Sequence, residues 1–199
     1  MTGTLATLAI ALGASWASGI NPYAAILLMG VGQLTGLVTL PADLQVLGSP
    51  WVLGVSAFLF GLNFFADKIP LVDSLNDILH TFVRVPAGAL LAFGAADQFG
   101  PETAVIVGLL GGTLAAGSHL AKTGTRALIN ASPEPFSNIL ASFAEDGVVV
   151  GGLLLALAHP ITFLCLLALF VVALLWLLPK LVRLALMPVR RLMRRRSTP

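Results

Sequence analysis

Residues 66–84, ADKIPLVDSLNDILHTFVR, carry most of the ionisable side chains in the first half of the chain. On a helix, positions i, i+4, i+7 and i+11 lie on one face. Asp73, Asp77, His80 and Arg84 have this spacing. Carboxylates, an imidazole and a guanidinium on one face can bind an ion or a polar solute, and the imidazole titrates near neutral pH. This stripe is therefore the first part of a candidate site.

A second copy of the stripe follows later in the chain. Residues 76–84, NDILHTFVR, align without gaps to residues 137–145, SNILASFAE, at an offset of 61. The second stripe then consists of Glu134, Asn138, Ala141 and Glu145. We interpret the similarity as an internal duplication, with units at about 51–95 and 102–157; the alternative is a chance likeness of two amphipathic helices. The alignment matches Arg84 with Glu145, which predicts an ion pair between the two copies.

The composition excludes an ordinary soluble domain. Of the 199 residues, 57% are hydrophobic and 10% are charged, and the mean hydropathy is +0.96. Soluble domains carry about 25% charged residues. The apolar runs are continuous rather than alternating, which favours helices over a transmembrane barrel. We predict an all-α, polytopic bundle of about five or six membrane segments over residues 1–179, with some helices broken or re-entrant.

Charge within such a bundle restricts the orientation of the helices. A charged side chain at the centre of a membrane helix is unfavourable by about 2.5–3.5 kcal/mol on insertion scales. The polar side chains must therefore face one another, water or a substrate, although those near helix ends are also explained as solvated or snorkelling residues. The candidate substrate- or ion-binding residues are Lys68, Asp73, Asp77, His80, Arg84, Lys122, Glu134, Asn138, Ser142, Glu145 and Asp146.

Helix-breaking residues interrupt the apolar runs near both stripes. The predicted breaks are Gly19, Asn21, Pro22, Pro86, Gly88 and Gly147. Proline removes a backbone donor, and glycine tolerates non-helical geometry. A duplicated unit with broken helices and polar groups at the breaks is typical of secondary transporters. We therefore predict a small secondary transporter or channel for a small solute or ion, without enzymatic activity.

Two other functions remain as alternatives. Asp73, Asp77 and His80 are ligand types for a divalent metal, which would suit a metal-dependent intramembrane enzyme. However, the chain has no HExxH, G-x-S-x-G or Walker A motif. Charges that only join helices would instead indicate a structural or accessory membrane protein. We predict no cofactor and no bound metal.

The C-terminal residues 180–199 are basic and amphipathic. Seven of the eleven lysines and arginines lie at or after Lys180, and no acid lies beyond Asp146. Positive-inside bias predicts a cytoplasmic C-terminus. Arginines interleaved with leucine, valine and methionine favour contact with anionic headgroups. The expected partners are membrane lipids and a small solute or ion, with homo-oligomers left open and no nucleic acid.

Three stretches of the chain are similar to one known family. SPWVLG, FFADKIPLVDSLNDILHTFVRVPAGALL and SHLAKTGTRALINASPEPFSN resemble a bacterial integral-membrane family, domain of unknown function 4126, over roughly residues 10–160. The resemblance implies a multi-pass protein of a bacterial inner membrane and no particular activity. Its recurring polar positions would be Asp67, Lys68, Asp73, Asp77, His80, Arg84, Lys122, Arg126, Ser132, Glu134, Pro135 and Asn138. A serine stands before His119, where the family pattern has threonine.

Overall fold

The computed structural model describes residues 2–69, 72–129 and 135–196, and these residues contain no strand. The helices are α1 (Thr2–Ile20), α2 (Pro22–Leu34), α3 (Pro50–Ala66), α4 (Val72–Ala96), α5 (Pro101–Ile129), α6 (Pro135–Ala158) and α7 (Pro160–Arg196). Short 3-10 helices at Ala42–Gly48 and Asp97–Phe99 precede α3 and α5. The predicted all-α class is confirmed.

The described helices include enough long apolar segments for a polytopic protein. Among them, five are long and apolar enough to cross a membrane. A sixth crossing results if Ala42–Gly48 and α3, which are bent by 66°, count together. The segment between α2 and α3 is thus partly helical. With 13 residues, α2 is shorter than the roughly 20 that a simple crossing needs. The prediction of five or six membrane segments is confirmed.

The bundle has many large apolar side chains on its outside and several charged side chains in its interior. Trp51, Phe82 and Phe136 are 86%, 79% and 79% exposed. Arg84 and Arg126 are only 0% and 2% exposed. Water disfavours a surface of this kind, whereas acyl chains favour it. The chain is therefore a multi-pass membrane protein.

The chain divides into two compact units, Met1–Leu164 and Cys165–Pro199. In the second unit, the Lys180 Nζ lies 3.0 Å from the centroid of the Trp176 ring, a cation–π contact. α7 continues as a helix beyond Lys180 to Arg196. Contact of the tail with lipid headgroups remains a prediction.

The first predicted break is confirmed at Asn21. α1 ends at Ile20 and α2 begins at Pro22, with Asn21 in extended conformation between them (φ −150°, ψ 95°). The Asn21 Oδ1 accepts a hydrogen bond from the Ala24 backbone nitrogen at 3.1 Å, which caps α2. Pro22 occupies the first helical position, where its missing donor is not needed.

Gly19, in contrast, lies inside α1 and allows two helices to pack closely. A Cβ atom at this position would lie 1.9 Å from the Ser118 Oγ and 2.1 Å from the Ala115 carbonyl oxygen. Close approach through small residues is the usual way in which membrane helices associate. Gly19 therefore determines how near α1 comes to α5.

The other predicted breaks are wrong, because α4 is continuous through Pro86 and Gly88 and α6 is continuous through Gly147. The proline removes the donor that would bond to the Phe82 carbonyl oxygen, four residues earlier. Two serines of α1 bond to other carbonyls of this stretch. The Ser18 Oγ donates to the Arg84 carbonyl oxygen at 2.9 Å, and the Ser15 Oγ donates to the Gly88 carbonyl oxygen at 2.8 Å. These bonds hold α4 against α1.

We expect Gly19→Ala to lower the thermal stability of the protein in detergent. The added methyl would collide with backbone atoms of α5, and such overpacking typically costs about 1–3 kcal/mol. Unfolding monitored by fluorescence measures the shift. Gly61→Ala is the matched control, because a Cβ there would meet nothing within 4 Å. Equal melting temperatures for the two variants would contradict the close contact of α1 with α5.

Candidate functional site

Seven ionisable side chains are joined by ion pairs where α3 and α5 end and where α4 and α6 begin. This ionic cluster consists of Asp67, Asp73, Asp77, Arg84, Lys122, Arg126 and Glu145. Asp67 directly follows α3, and the other six residues lie on α4, α5 and α6. The cluster contains three cations and four carboxylates, a formal excess of one negative charge.

Lys122 lies at the centre of the ionic cluster. Its Nζ is 2.9 Å from the Asp67 Oδ2, 3.4 Å from the Asp77 Oδ1 and 3.3 Å from the Glu145 Oε2. It also donates to the Ile20 carbonyl oxygen, at 3.5 Å, where α1 ends. One ammonium group, itself 5% exposed, therefore neutralises carboxylates from three segments of the chain.

Arg126 holds the Glu145 carboxylate with two parallel hydrogen bonds. Its Nε and Nη2 donate to the Glu145 Oε1 and Oε2, both at 2.8 Å. Its Nη1 donates to the backbone carbonyl oxygen of Asn138 at 2.9 Å and to the side-chain oxygen of the same residue. The Asp73 Oδ2 lies 3.8 Å from this Nη1. Arg126 thus joins the end of α5 to the first turns of α6.

Arg84 is fully buried and uses only one of its three nitrogens. Its Nη1 donates to the Asp77 Oδ1 at 2.6 Å and to the His119 Nδ1 at 2.9 Å. Within the described parts of the chain, the Nε and Nη2 of Arg84 have no hydrogen-bond partner. Unsatisfied buried donors are costly, and most so when they are charged.

The contacts of His119 determine which of its nitrogens carries the proton. The Thr81 hydroxyl donates to the Asp77 carbonyl oxygen at 3.0 Å, so it accepts from the His119 Nε2 at 2.7 Å. The Nδ1 accepts from Arg84, because a guanidinium only donates. His119 is therefore neutral, with its proton on Nε2. It can bind a second proton only if Arg84 moves away.

Three amide side chains hold Asp67 in place. The Asn63 and Asn76 Nδ2 atoms donate to its two carboxylate oxygens at 3.1 and 3.0 Å. The Asn138 Nδ2 donates to its carbonyl oxygen at 3.2 Å. Burial alone would raise the pKa of Asp67, but the Lys122 ammonium and the Asn76 amide hold this pKa below its ordinary value. Asp67 is therefore ionised at neutral pH.

Lys68 lies at the edge of the ionic cluster, where its Nζ donates to the Phe64 carbonyl oxygen at 3.0 Å and to the Ser142 Oγ at 3.4 Å. On α6, the Asp146 Oδ1 accepts from the Asn21 Nδ2 at 3.0 Å. This bond connects α6 to the α1–α2 break.

His80 lies beside α2. Its Nδ1 is 2.8 Å from the Asn76 carbonyl oxygen, and its ring is edge-on to Tyr23 with the centroids 5.5 Å apart.

Two pockets border these polar groups. The first, of about 380 Å³, lies between α4 and α5 and is lined in part by Asp77, Thr81, His119 and Arg126. The second, of about 310 Å³, is lined by apolar residues of α2, α3 and α6 together with Asp146. Carboxylates therefore line both pockets.

Comparison with protein families identifies the chain. The model of the family described as Domain of unknown function (DUF4126) matches residues 8–180. The chain belongs to this family. The matched range contains the whole ionic cluster of this DUF4126 protein and extends beyond the range predicted from the resemblance. The chain matches neither a curated protein nor a solved structure.

The structure brings the two predicted stripes of the DUF4126 protein together, but α5 connects them. Lys122 lies between Asp77 of the first stripe and Glu145 of the second. The predicted pair of Arg84 with Glu145 is wrong, because Arg84 pairs with Asp77 and Glu145 pairs with Arg126 and Lys122. Glu134 and Ser132 lie outside the described residues.

The residues of the alternative metal site have other partners in the described parts of the structure. Among the described residues, no group of three histidine, cysteine, aspartate or glutamate side chains is placed to hold a metal ion. Asp77 instead pairs with Arg84 and Lys122, and the His80 Nδ1 contacts a backbone carbonyl.

Several residues of the site were not predicted from the stripes. His119 was absent from the candidate list, and Arg126 was named only as a polar position that the family resemblance implies. With Lys122 they stand at i, i+3 and i+7, which places them on one helix face as in the stripes. The amides Asn63 and Asn76 carry no comparable signal. A single amide near a helix end is common, and only the fold shows that both contact Asp67.

Proposed function

We propose that this DUF4126 protein is a secondary transporter or channel that moves a small solute or ion through the ionic cluster. The observation that carries the proposal is the set of seven ionisable side chains inside a bundle whose outer surface is apolar. Ionisable groups inside membrane bundles are expensive, and they typically mark ion or substrate pathways.

The extent of the cluster supports a pathway. From Asp73 to Arg84, α4 advances by eleven residues, or about 17 Å at 1.5 Å per residue. This is about half of a hydrocarbon core of roughly 30 Å. The polar groups thus extend from one end of α4 to a depth that corresponds to the middle of a bilayer.

The α1–α2 break supports the same proposal. The carbonyl of Ile20, at the end of α1, contacts Lys122, and Asn21 contacts Asp146. In transporters, the ends of discontinuous helices commonly form part of the substrate or ion site. The excess negative charge of the cluster favours entry of a proton or another cation, and hence proton coupling.

We further infer the setting of the protein. The basic residues of the tail favour a cytoplasmic C-terminus, and the resemblance favours a bacterial inner membrane. We propose no enzymatic reaction. The aligned stripes still favour an internal duplication of the two helical units.

We expect Asp77→Asn and Glu145→Gln to reduce transport at least about tenfold while the protein stays folded. Each amide keeps an acceptor for its arginine but removes a charge and a proton-binding group. The protein is reconstituted into phosphatidylethanolamine–phosphatidylglycerol vesicles that contain the pH dye pyranine. A potassium diffusion potential is then applied, or phosphate, succinate or a neutral amino acid is added outside.

Thr113→Ala is the control for this measurement. Thr113 is exposed, and its hydroxyl bonds to the Leu109 carbonyl of its own helix. The control should transport as the unmodified protein does. If proton flux were absent under every gradient, or unchanged in both amide variants, the proposal would fail and the accessory function would be favoured.

A further inference from the structure

Arg84 has two charged donors that point at no acceptor in the described parts of the protein. Its side chain is 0% exposed, and among the described residues its Nε and Nη2 have no hydrogen-bond partner. Both hydrogens of its Nη1 are used, by Asp77 and His119. The unused Nε–H and one Nη2–H of a guanidinium are parallel, and together they form one edge that matches the two oxygens of a carboxylate or phosphate.

Arg126 shows what such an edge holds in this protein. Its Nε and Nη2 bind the two Glu145 oxygens at 2.8 Å each, and its Nη1 makes the remaining contacts. Arg84 has the same division of roles, with its Nη1 fixed by protein groups. The difference is that no carboxylate of the described chain fills the edge of Arg84.

We propose that the Nε–Nη2 edge of Arg84 binds one oxyanion group, a carboxylate or a phosphate, of the solute that the protein transports. This inference rests on the proposed transport function and names the chemical class of its substrate. The Asp77 and His119 contacts fix the guanidinium plane before the ligand arrives, so little side-chain entropy is lost on binding.

The first pocket lies next to Arg84, on the side of its Nη1. Asp77 and His119, which both contact this Nη1, line the cavity of about 380 Å³ between α4 and α5, whereas Arg84 itself does not. A ligand in this pocket would reach the Nε–Nη2 edge only after the side chains between them move. A ligand of a few heavy atoms fits this volume, and Thr81 and Arg126 line it as well. An amphiphile whose phosphate enters the pocket would present the same oxygens as a free anion. The chemistry at Arg84 is identical for both sources.

Because of the charges around Arg84, the anion should bind together with a compensating positive charge. The ionic cluster already has one more carboxylate than cations. A bare anion would increase this excess in a medium where burying charge is costly. The oxyanion should therefore enter together with protons or metal cations, which agrees with the proton coupling proposed above.

The test compares Arg84→Lys and Arg84→Gln with the unmodified protein. Lysine keeps the charge but lacks the planar edge, whereas glutamine lacks both. Melting temperatures are measured in detergent with phosphate or succinate against chloride at equal ionic strength. For the unmodified protein we expect a rise of roughly 3 °C or more at about ten times Kd. Both variants should bind at least about tenfold more weakly, because lysine cannot replace a bidentate arginine.

A second measurement identifies a lipid source. Native mass spectrometry detects anionic phospholipid that remains bound to the purified protein. Phospholipid retained by the unmodified protein and lost from Arg84→Lys would support the proposal with a headgroup phosphate as ligand. Equal shifts in all three proteins would place the anions on the basic tail, which the variants retain, and would overturn the proposal. The proposal would also be overturned if neither an anion-dependent rise in melting temperature nor retained phospholipid were found, because no oxyanion would then bind to the edge.

The proposal stays testable if neither variant folds. One saturable phosphate or succinate site per chain should then be found in the unmodified protein. This site should survive neutralisation of the tail arginines Arg194, Arg195 and Arg196. Failure to find it would overturn the proposal. Binding is measured without flux, so loss of the anion site and loss of the transport function give different results.

Discussion

Lys122→Met is expected to lower the free energy of unfolding by about 3–5 kcal/mol, the range observed when one partner of a buried ion pair is removed. The variant would leave Asp67, Asp77 and Glu145 without the ammonium that lies 2.9, 3.4 and 3.3 Å from them. Its excess negative charge would also grow by one. The measurement is the yield of monodisperse protein in detergent, followed by thermal unfolding of whatever remains.

Lys180→Met is the control for the loss of a lysine. Lys180 is exposed beside the Trp176 ring, so this change should cost no more than about 1 kcal/mol. The double variant Lys122→Met with Asp67→Asn should regain part of the loss, because it removes the carboxylate that has no other cation partner among the described residues. If the Lys122→Met protein were as stable as the Lys180→Met control, Lys122 would not stabilise the ionic cluster.

The chemical character of this site could be predicted from helical spacing alone. A period of 3.6 residues places Asp73, Asp77 and Arg84 on one face wherever the helix lies, and membrane energetics turns that face inward. These two arguments need no tertiary information. For this reason, both the inward orientation of the stripes and their contact inside the bundle could be predicted from the sequence.

Which charged residues pair with one another could not be predicted from their spacing in the sequence. The duplication placed Arg84 opposite Glu145 and assumed that the two sister helices share one contact. In the fold, Lys122 and Arg126 of α5 reach Glu145, and Arg84 turns back along its own helix to Asp77. Which partner a charge finds depends on the element between the copies, and the alignment of the copies contains no information about it.

Helix breaks were predictable only where the residue also caps a helix. Asn21 followed by Pro22 supplies both a side-chain cap and a suitable first residue, so the chain breaks there. Pro86 lacks such a cap, and α4 continues through it. There α4 is held against α1 by hydrogen bonds from Ser15 and Ser18, which are far from Pro86 in sequence. A local rule could therefore not detect these contacts.

Arg126→Met is expected to cost about 3–5 kcal/mol as well, since it removes the bidentate partner of a partly buried carboxylate. Among the described residues, Glu145 would keep only the ammonium of Lys122, at 3.3 Å, as a cation partner. The carbonyl and side-chain oxygens of Asn138 would also lose their donor. Thermal unfolding and detergent stability of the variant measure the loss.

The matched variant is Arg126→Met combined with Glu145→Leu. Replacing both members of a buried pair by apolar residues is often nearly neutral, so the double variant should recover to within about 1–2 kcal/mol of the unmodified protein. With Glu145→Leu measured as the second single variant, the two single losses together should exceed the loss of the double variant by at least about 2 kcal/mol. Additive losses would contradict a direct pair.

The same double variant tests transport separately from packing. If it folds but no longer moves protons in pyranine-loaded vesicles, the charges of the ionic cluster are needed for transport and not for packing alone. If it transports fully, these charges serve only to hold the helices together.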